Sequence, residues 1–372
     1  MKVALVHDYL NQRGGAERVF AHIARAYPDA PIYTGLFDPS QTGDLIDPAR
    51  VHTSALQRLP YAERYFRYLA PFYPSAFEHF DLSSYDLVVS STTAWAKGVI
   101  TRPDATHVCY INTVSRFAFD YERYVGGFGI GMLARPVVSE LVEWDLRAAK
   151  RPTAFVANSH NVARRIERYY GREAFVLPCP VDVERFAVGG GGGDYFLAVS
   201  RLLPYKGIDR AIAACALANV KLRIVGTGPA QSELERAASG TQTEFCGALS
   251  DTELGEMMGA ARAVIVPGEE DFGLVPIEAN ASGRPAIALG RGGALETILP
   301  GITGEHFSDP APESLAAVLR DFDPSRYDPG VLRAHAETFA PSRFIERLRS
   351  LVAAVQAGER PGSALRLEAQ RA

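Results

Sequence analysis

Short apolar runs alternate with helix-length amphipathic stretches along almost the whole chain. Runs at 3–7, 87–90, 107–111, 154–157 and 175–177 are rich in Val, Ile, Leu, Ala and Phe, with few charges. They read as strands buried on both faces of a sheet. A second series follows at 195–200, 222–226, 244–247, 263–266 and 286–289. Between them the apolar spacing lengthens to the helical period at 16–26, 133–150, 162–170, 208–217, 231–238, 251–259 and 275–282. Strand–helix alternation of this kind predicts an α/β protein with parallel sheets and helices on both faces.

The punctuation divides the chain in two. Five consecutive glycines, 189–193, pack poorly and lose much freedom on ordering, and a turn-like Cys179-Pro180-Val181-Asp182 precedes them. The expected division is an N-terminal Rossmann-like domain over 1–183, a Gly-rich linker at 184–194 and a second Rossmann-like domain over 195–340, with about five strands on each side. A last helix at 341–356 has Ser342 as its N-cap, and 357–372 reads as a frayed tail.

Composition narrows the class. The 372 residues are 47% hydrophobic and 22% charged, ordinary for a globular chain, and the net charge of −4 argues against a nucleic-acid-binding protein. Cys109, Cys179, Cys215 and Cys246 form no CxxC pair and sit in or beside apolar stretches, so they read as buried thiols rather than a disulfide or zinc set. The first apolar run is too short for a signal-peptide core, and no run reaches the about 20 residues of a spanning helix. A cytoplasmic protein is expected, at most attached to the cytoplasmic face of a membrane.

Three stretches carry candidate chemistry. In Pro267-Gly268-Glu269-Glu270-Asp271-Phe272-Gly273-Leu274-Val275-Pro276-Ile277-Glu278 a buried strand runs through a glycine-containing loop into a helix. The free N–H groups and positive end of that helix suit an anion or sugar hydroxyls. Glu270 and Glu278 can each accept hydrogen bonds from vicinal hydroxyls, or be no more than a solvated acid and a helix-dipole partner. In Ser200-Arg201-Leu202-Leu203-Pro204-Tyr205-Lys206-Gly207-Ile208-Asp209 two cations precede a helix, an arrangement that suits a departing diphosphate and is equally common on a solvated surface. In Asn11-Gln12-Arg13-Gly14-Gly15-Ala16-Glu17 paired glycines join the first strand to the first helix. They admit a ligand close to the backbone, or simply make a tight connection. The absence of GxGxxG there counts against a nicotinamide or flavin enzyme.

These stretches together resemble the retaining GT-B glycosyltransferases, family GT4. Glu270 and Glu278 match its Glu-x7-Glu signature, including the central Phe272-Gly273 and the closing Gly283-Arg284-Pro285, and Arg201 to Asp209 match its Arg-x4-Lys-Gly-x-Asp motif. The resemblance implies two facing Rossmann-like domains with an interdomain cleft. It assigns Glu270 to the donor sugar, Glu278 to the nucleotide ribose, Arg201 and Lys206 to the diphosphate, and Gly14, Gly15, Phe272, Gly273 and Leu274 to the walls of the nucleotide-sugar site. Cys109-Tyr110-Ile111-Asn112-Thr113-Val114-Ser115-Arg116 resembles a family segment in which the active-site His would fall on Asn112. Asn carries no proton at neutral pH but still hydrogen-bonds a sugar. Ser90-Ser91-Thr92-Thr93-Ala94-Trp95-Ala96-Lys97-Gly98-Val99 matches a further family segment.

The resemblance is nearest to bacterial mannosyltransferases of exopolysaccharide and O-antigen assembly. It implies hexose transfer, mannose from GDP-mannose, onto a lipid-linked or glycan acceptor, with no cofactor and no metal. Asp321-Phe322-Asp323 reads as a turn between helices rather than a metal site. A nucleotide-sugar epimerase of the same fold, and a catalytically silent binding protein in view of Asn112, stay open.

Three smaller features remain. His107 reads as a core or surface histidine. Ser159 reads as a helix cap or a lining residue. The stretch 58–73 interleaves Arg with Tyr and Phe. It reads either as a face near lipid headgroups, at the inner membrane, or as a partly buried helix with a charged edge.

Overall fold

A computed structural model of the chain describes residues 1–119 and 135–361. Contacts divide it into two units, Met1–Cys179 together with the chain from Ser342 onward, and Pro180–Pro341.

The first unit is a seven-stranded parallel sheet in the order β3-β2-β1-β4-β5-β6-β7. Its strands are β1 (Val3–His7), β2 (Ile32–Thr34), β3 (Val51–Thr53), β4 (Leu87–Thr92), β5 (Thr106–Ile111), β6 (Ala154–Ala157) and β7 (Ala174–Val176). Helices α1 (Gly15–Ala26), α2 (Arg135–Ala148) and α3 (His160–Tyr170) flank it. The central strands are the apolar runs, and every residue of β4 is buried. The expectation of about five strands fell short here because β2 and β3 have only three residues each and lie toward one edge, where Tyr33 and all of β3 keep some exposure. Ser159 caps α3 by accepting the Val162 N–H at 3.1 Å.

The second unit is a six-stranded parallel sheet in the order β10-β9-β8-β11-β12-β13, from β8 (Tyr195–Val199), β9 (Lys221–Val225), β10 (Thr243–Gly247), β11 (Val264–Val266), β12 (Ala286–Leu289) and β13 (Gly304–Phe307). Side-chain alternation along β8 splits its core between two faces. Phe196 and Ala198 pack with Ile212, Ile224 and Ile265 on one, and Tyr195 and Leu197 with Met258, Val264 and Ile277 on the other. Helices α4 (Ile208–Ala218), α5 (Gln231–Ala237), α6 (Asp251–Ala260), α7 (Leu274–Ala281), α8 (Pro312–Arg320) and α9 (Pro329–Glu337) complete it.

The domain division, the packing of the glycine run and the cap of the last helix differ from the sequence expectation. The division falls at Cys179/Pro180, not within 184–194. The glycine run is no free linker: Gly189 donates to Ser282 O at 3.1 Å, Gly191 to Gly259 O at 3.2 Å and Gly193 to Ala260 O at 2.9 Å, all inside the second unit. The last helix, α10 (Pro341–Gln356), has the expected bounds, but Ser342 lies inside it rather than capping it, and Pro occupies the first-turn position it favours. From Ser342 the chain belongs to the first unit, where Phe344 meets Tyr110 edge-on at 5.8 Å and Arg349 donates to Ala26 O at 2.6 Å. The start of the helix expected at 133–150, and the tail beyond 361, lie outside the described residues.

Candidate functional site

In an open parallel sheet the strand order reverses where the chain first crosses from one side to the other, and the loops at the carboxyl ends of the two strands flanking that point splay apart. In the second unit those strands are β8 and β11. The loop after β8 carries Arg201 and Lys206, and the loop after β11 carries Glu270 and leads into α7.

The structure joins these loops. Lys206 Nζ lies 2.6 Å from Glu270 Oε1, and both side chains are mostly but not fully buried. Arg210 donates from Nη1 to Pro267 O at 2.7 Å, fixing the root of the second loop to α4. A Cβ on Gly268 would stand 2.6 Å from Lys206 O, so only glycine permits this backbone approach. Gly273, the N-cap of α7, takes φ +92°, which a side chain would strain. Arg201 stays exposed on the Lys206 loop, and Glu278, half-buried, is the fifth residue of α7. One loop therefore holds the two expected diphosphate cations, and the loop–helix beside it holds the two expected hydroxyl acceptors.

Phe272 differs from its expected place. Its side chain is 4% exposed and meets Phe339 edge-on at 5.9 Å. Only its backbone is left to meet a ligand, and the ring anchors the loop instead. A third loop escaped the sequence reading. Gly293 N–H donates to Glu270 O at 2.8 Å, and Gly292 bridges Glu270 in parallel register. The Arg291-Gly292-Gly293 triplet after β12 therefore lies against Glu270; a second Gly-Gly after a buried strand was the available signal.

In the first unit the corresponding strands are β1 and β4. Gly14 is the N-cap of α1 in extended conformation and Gly15 the first helical residue. The Gly14 N–H donates to Glu17 Oε2 at 3.0 Å, and Gln12 Nε2 to Glu17 Oε1 at 3.0 Å. A buried carboxylate thus already sits at the head of this helix. Asp8, which the sequence reading passed over, is 1% exposed and accepts six hydrogen bonds. They come from Thr92 Oγ1, the Thr93 N–H and Oγ1, and the Ala94, Trp95 and Ala96 N–H groups, so one carboxylate shapes the whole loop after β4. Lys97, at the end of that loop, is buried against Asp145 of α2 at 2.5 Å, with Ser115 Oγ at 3.0 Å. Tyr170 OH donates to the other Asp145 oxygen at 2.8 Å. The Asp145 carboxylate raises the Lys97 pKa despite the opposing effect of burial.

Asn112 follows β5. Its Nδ2 donates to Ser91 Oγ at 3.0 Å and more weakly to Thr92 O at 3.4 Å, while Asn158 Nδ2 donates to Asn112 O at 2.9 Å. The Thr92 carbonyl, which can only accept, fixes the orientation of the amide. His107 is fully buried at the start of β5, with Nε2 2.8 Å from Ser90 Oγ, and burial pushes its pKa down to about 3. It is a core histidine. Cys109, Cys179 and Cys215 are buried, Cys246 is half-buried, and all four are free thiols. Asp323 caps the turn Pro324–Arg326 by accepting the Ser325 N–H at 3.0 Å.

Comparison with known proteins places this architecture. Residues 13–185 match the model of Glycosyltransferase Family 4, and residues 183–324 that of Glycosyl transferases group 1. A GDP-mannose-dependent alpha-(1-6)-phosphatidylinositol dimannoside mannosyltransferase of Mycobacterium tuberculosis is 32% identical over 171 residues, 44% of each chain. A D-inositol 3-phosphate glycosyltransferase of Geodermatophilus obscurus is 32% identical over 237 residues, 54% of this chain and 52% of the relative. The chain thus spans about half the length of the curated relatives it matches. Among solved structures, Anabaena Alr3699/HepE in complex with UDP and glucose superposes with TM-score 0.69 at 20% identity, over 95% of this chain and all of that one. Sucrose-phosphate synthase from Thermosynechococcus elongatus gives TM-score 0.72 at 18% identity, over 96% of this chain and 100% of that one. Both show the fold, which is GT-B. The chain belongs to the GT4-type glycosyltransferases of that fold.

Proposed function

We propose that the protein is a retaining hexosyltransferase that moves mannose from GDP-mannose onto a lipid-linked or glycan acceptor in cell-surface polysaccharide synthesis. The observation that carries the reading is the Lys206–Glu270 pair at the topological switch point of the second sheet. A cation and a carboxylate held side by side suit a ligand whose anionic diphosphate is joined to a hydroxyl-rich sugar. Lys206 and Arg201 take the diphosphate, where negative charge grows as the bond to C1 breaks. Glu270 accepts from sugar hydroxyls, Glu278 from the ribose, and the free N–H groups at the start of α7 add a positive dipole end.

The face on which the acceptor oxygen meets C1 sets the stereochemistry. Asn112 offers an amide and no exchangeable proton carrier, so we assign it no part in moving the acceptor proton. That proton passes to the departing diphosphate oxygen as C1 exchanges that oxygen for the acceptor oxygen on the same face, which retains the anomeric configuration. Protein cations supply the positive charge here, and transfer is expected to proceed without a metal ion. Mannose and guanine rest on the curated relatives, three of which are described as GDP-mannose-dependent mannosyltransferases. The test is incubation with GDP-mannose and a lipid-linked glycan. Formation of an α-mannosyl product, read from its one-bond C–H coupling, supports the proposal. GDP-mannose consumed without an acceptor, to a new nucleotide sugar, would make the protein an epimerase instead.

A further inference from the structure

Among the described residues, exposed aromatic side chains are not scattered. Every exposed Tyr or Phe among them lies in one short segment of the first unit: Tyr61, Tyr65, Tyr68 and Phe72, between 48% and 72% exposed, with Leu59 beside them at 44%. Arg58, Arg64 and Arg67 alternate with these rings, are themselves exposed, and have no carboxylate partner among the described residues. Glu63, the one acid of the stretch, is half-buried and accepts from Gln57 Nε2 at 2.6 Å. In a chain of net charge −4 this is a local reversal of sign.

The segment is not the single amphipathic helix that its spacing allowed. It passes through a left-handed Tyr61 (φ +58°) and a 3-10 stretch at Phe66–Phe72 before a short helix, Tyr73–Glu78. Its inner side is firmly seated. Tyr73 is fully buried and donates to Phe66 O at 3.0 Å, and Tyr9 packs edge-on against Phe66 and Tyr73 at 5.2 and 5.1 Å. Asn11 Nδ2 donates to Glu63 O at 3.0 Å. The rings that remain outside are therefore held out by a rigid base that continues into the loop after β1, at the carboxyl edge of the sheet.

We infer that this face, Arg58, Tyr61, Arg64, Tyr65, Arg67, Tyr68 and Phe72, docks on an anionic bilayer surface. Tyrosine rings suit the boundary where one end is apolar and the other wet, and guanidiniums without a carboxylate partner, Arg64 over the Tyr65 ring and Arg67 over the Phe66 ring, keep donors for headgroup phosphates. Charge complementarity favours an anionic membrane over the surface of a second copy, which would bring like charges together. The inference stands apart from the identity of the donor sugar, since its readout is partition and not turnover.

The experiment is co-sedimentation of the full chain with phosphatidylcholine vesicles, with and without phosphatidylglycerol. Binding is expected only when phosphatidylglycerol is present, and is expected to weaken as salt rises. Arg64→Ala/Arg67→Ala should lower the partition constant about fivefold per arginine, and Tyr68→Ser/Phe72→Ser should lower it further. All four positions are exposed, so an unchanged melting temperature keeps the comparison fair. Equal binding to neutral vesicles, binding by the variants equal to that of the parent, or no binding to either vesicle would overturn the inference. A dimer in sedimentation velocity that Tyr68→Ser/Phe72→Ser abolishes would also overturn it, giving the face to a second copy.

Discussion

Lys206 Nζ and Glu270 Oε1, 64 residues apart in the chain, meet at 2.6 Å across the switch point of the second sheet. Without a ligand each neutralises the other. Under the proposed function a diphosphate would draw the lysine away and leave the carboxylate to the sugar hydroxyls, so that the pair is exchanged rather than simply filled.

That exchange separates the two side chains in a kinetic assay. Glu270→Gln keeps the shape but weakens the acceptor of sugar hydroxyls. It should leave affinity for free GDP within about twofold while transfer falls on the order of a hundredfold, the scale of one lost transition-state contact. Steady-state kinetics beside calorimetric GDP binding would show the split.

Asp8 governs stability in the first unit. Its six donors, four of them backbone N–H groups, lose this acceptor once the carboxylate is gone, and the Ala94 N–H keeps a second one, Thr92 Oγ1 at 2.9 Å. Asp8→Ala should cost roughly 3–5 kcal/mol, as for a broken buried polar network. Urea denaturation measures it, and a loss below about 1 kcal/mol, the scale of one ordinary hydrogen bond, would show that the loop finds other partners.

The buried Lys97–Asp145 pair should be strongly non-additive. Lys97→Met strands the Asp145 charge among Ser115 and Tyr170 and should cost roughly 3–5 kcal/mol. Lys97→Met with Asp145→Leu should cost less than Lys97→Met alone, because no uncompensated charge is left. A double-mutant cycle in urea supplies the coupling.

His107 makes stability depend on pH. Its pKa of about 3 in the fold lies below the ordinary histidine value. The unfolded chain therefore binds more protons between those values, and stability is full above the unfolded pKa and lost as pH falls toward 3. Between pH 7 and pH 5 this group should remove about 2 kcal/mol. His107→Gln should flatten that part of the urea midpoint–pH curve.

Much of this was legible in the residues, for physical reasons. Central parallel strands must be apolar on both faces, so β4, β5, β8, β11 and β12 stand out as runs. Strands β2 and β3 are three residues long and near an edge, and β13, Gly304–Phe307, mixes Glu305 and His306 with Phe307. None has a run to see. The Arg201, Lys206, Glu270 and Glu278 spacing was readable because loop and helix are contiguous in sequence. Asp8 left no signal, and the Arg291-Gly292-Gly293 loop only its Gly-Gly, since their roles come from partners 84 or more and about 20 residues away that only sheet pairing brings near. The glycine run misled because backbone hydrogen bonds to Gly259, Ala260 and Ser282, invisible in composition, hold it in place.

The central claim is that the loop bearing Lys206 and the loop bearing Glu270 grip one pyrophosphorylated nucleotide. Calorimetric titration of GDP into the parent protein and into Lys206→Ala tests it most directly. The account predicts saturable binding by the parent and at least about tenfold weaker binding by the variant, the worth of one charge-assisted contact. Equal affinity in both proteins would contradict it.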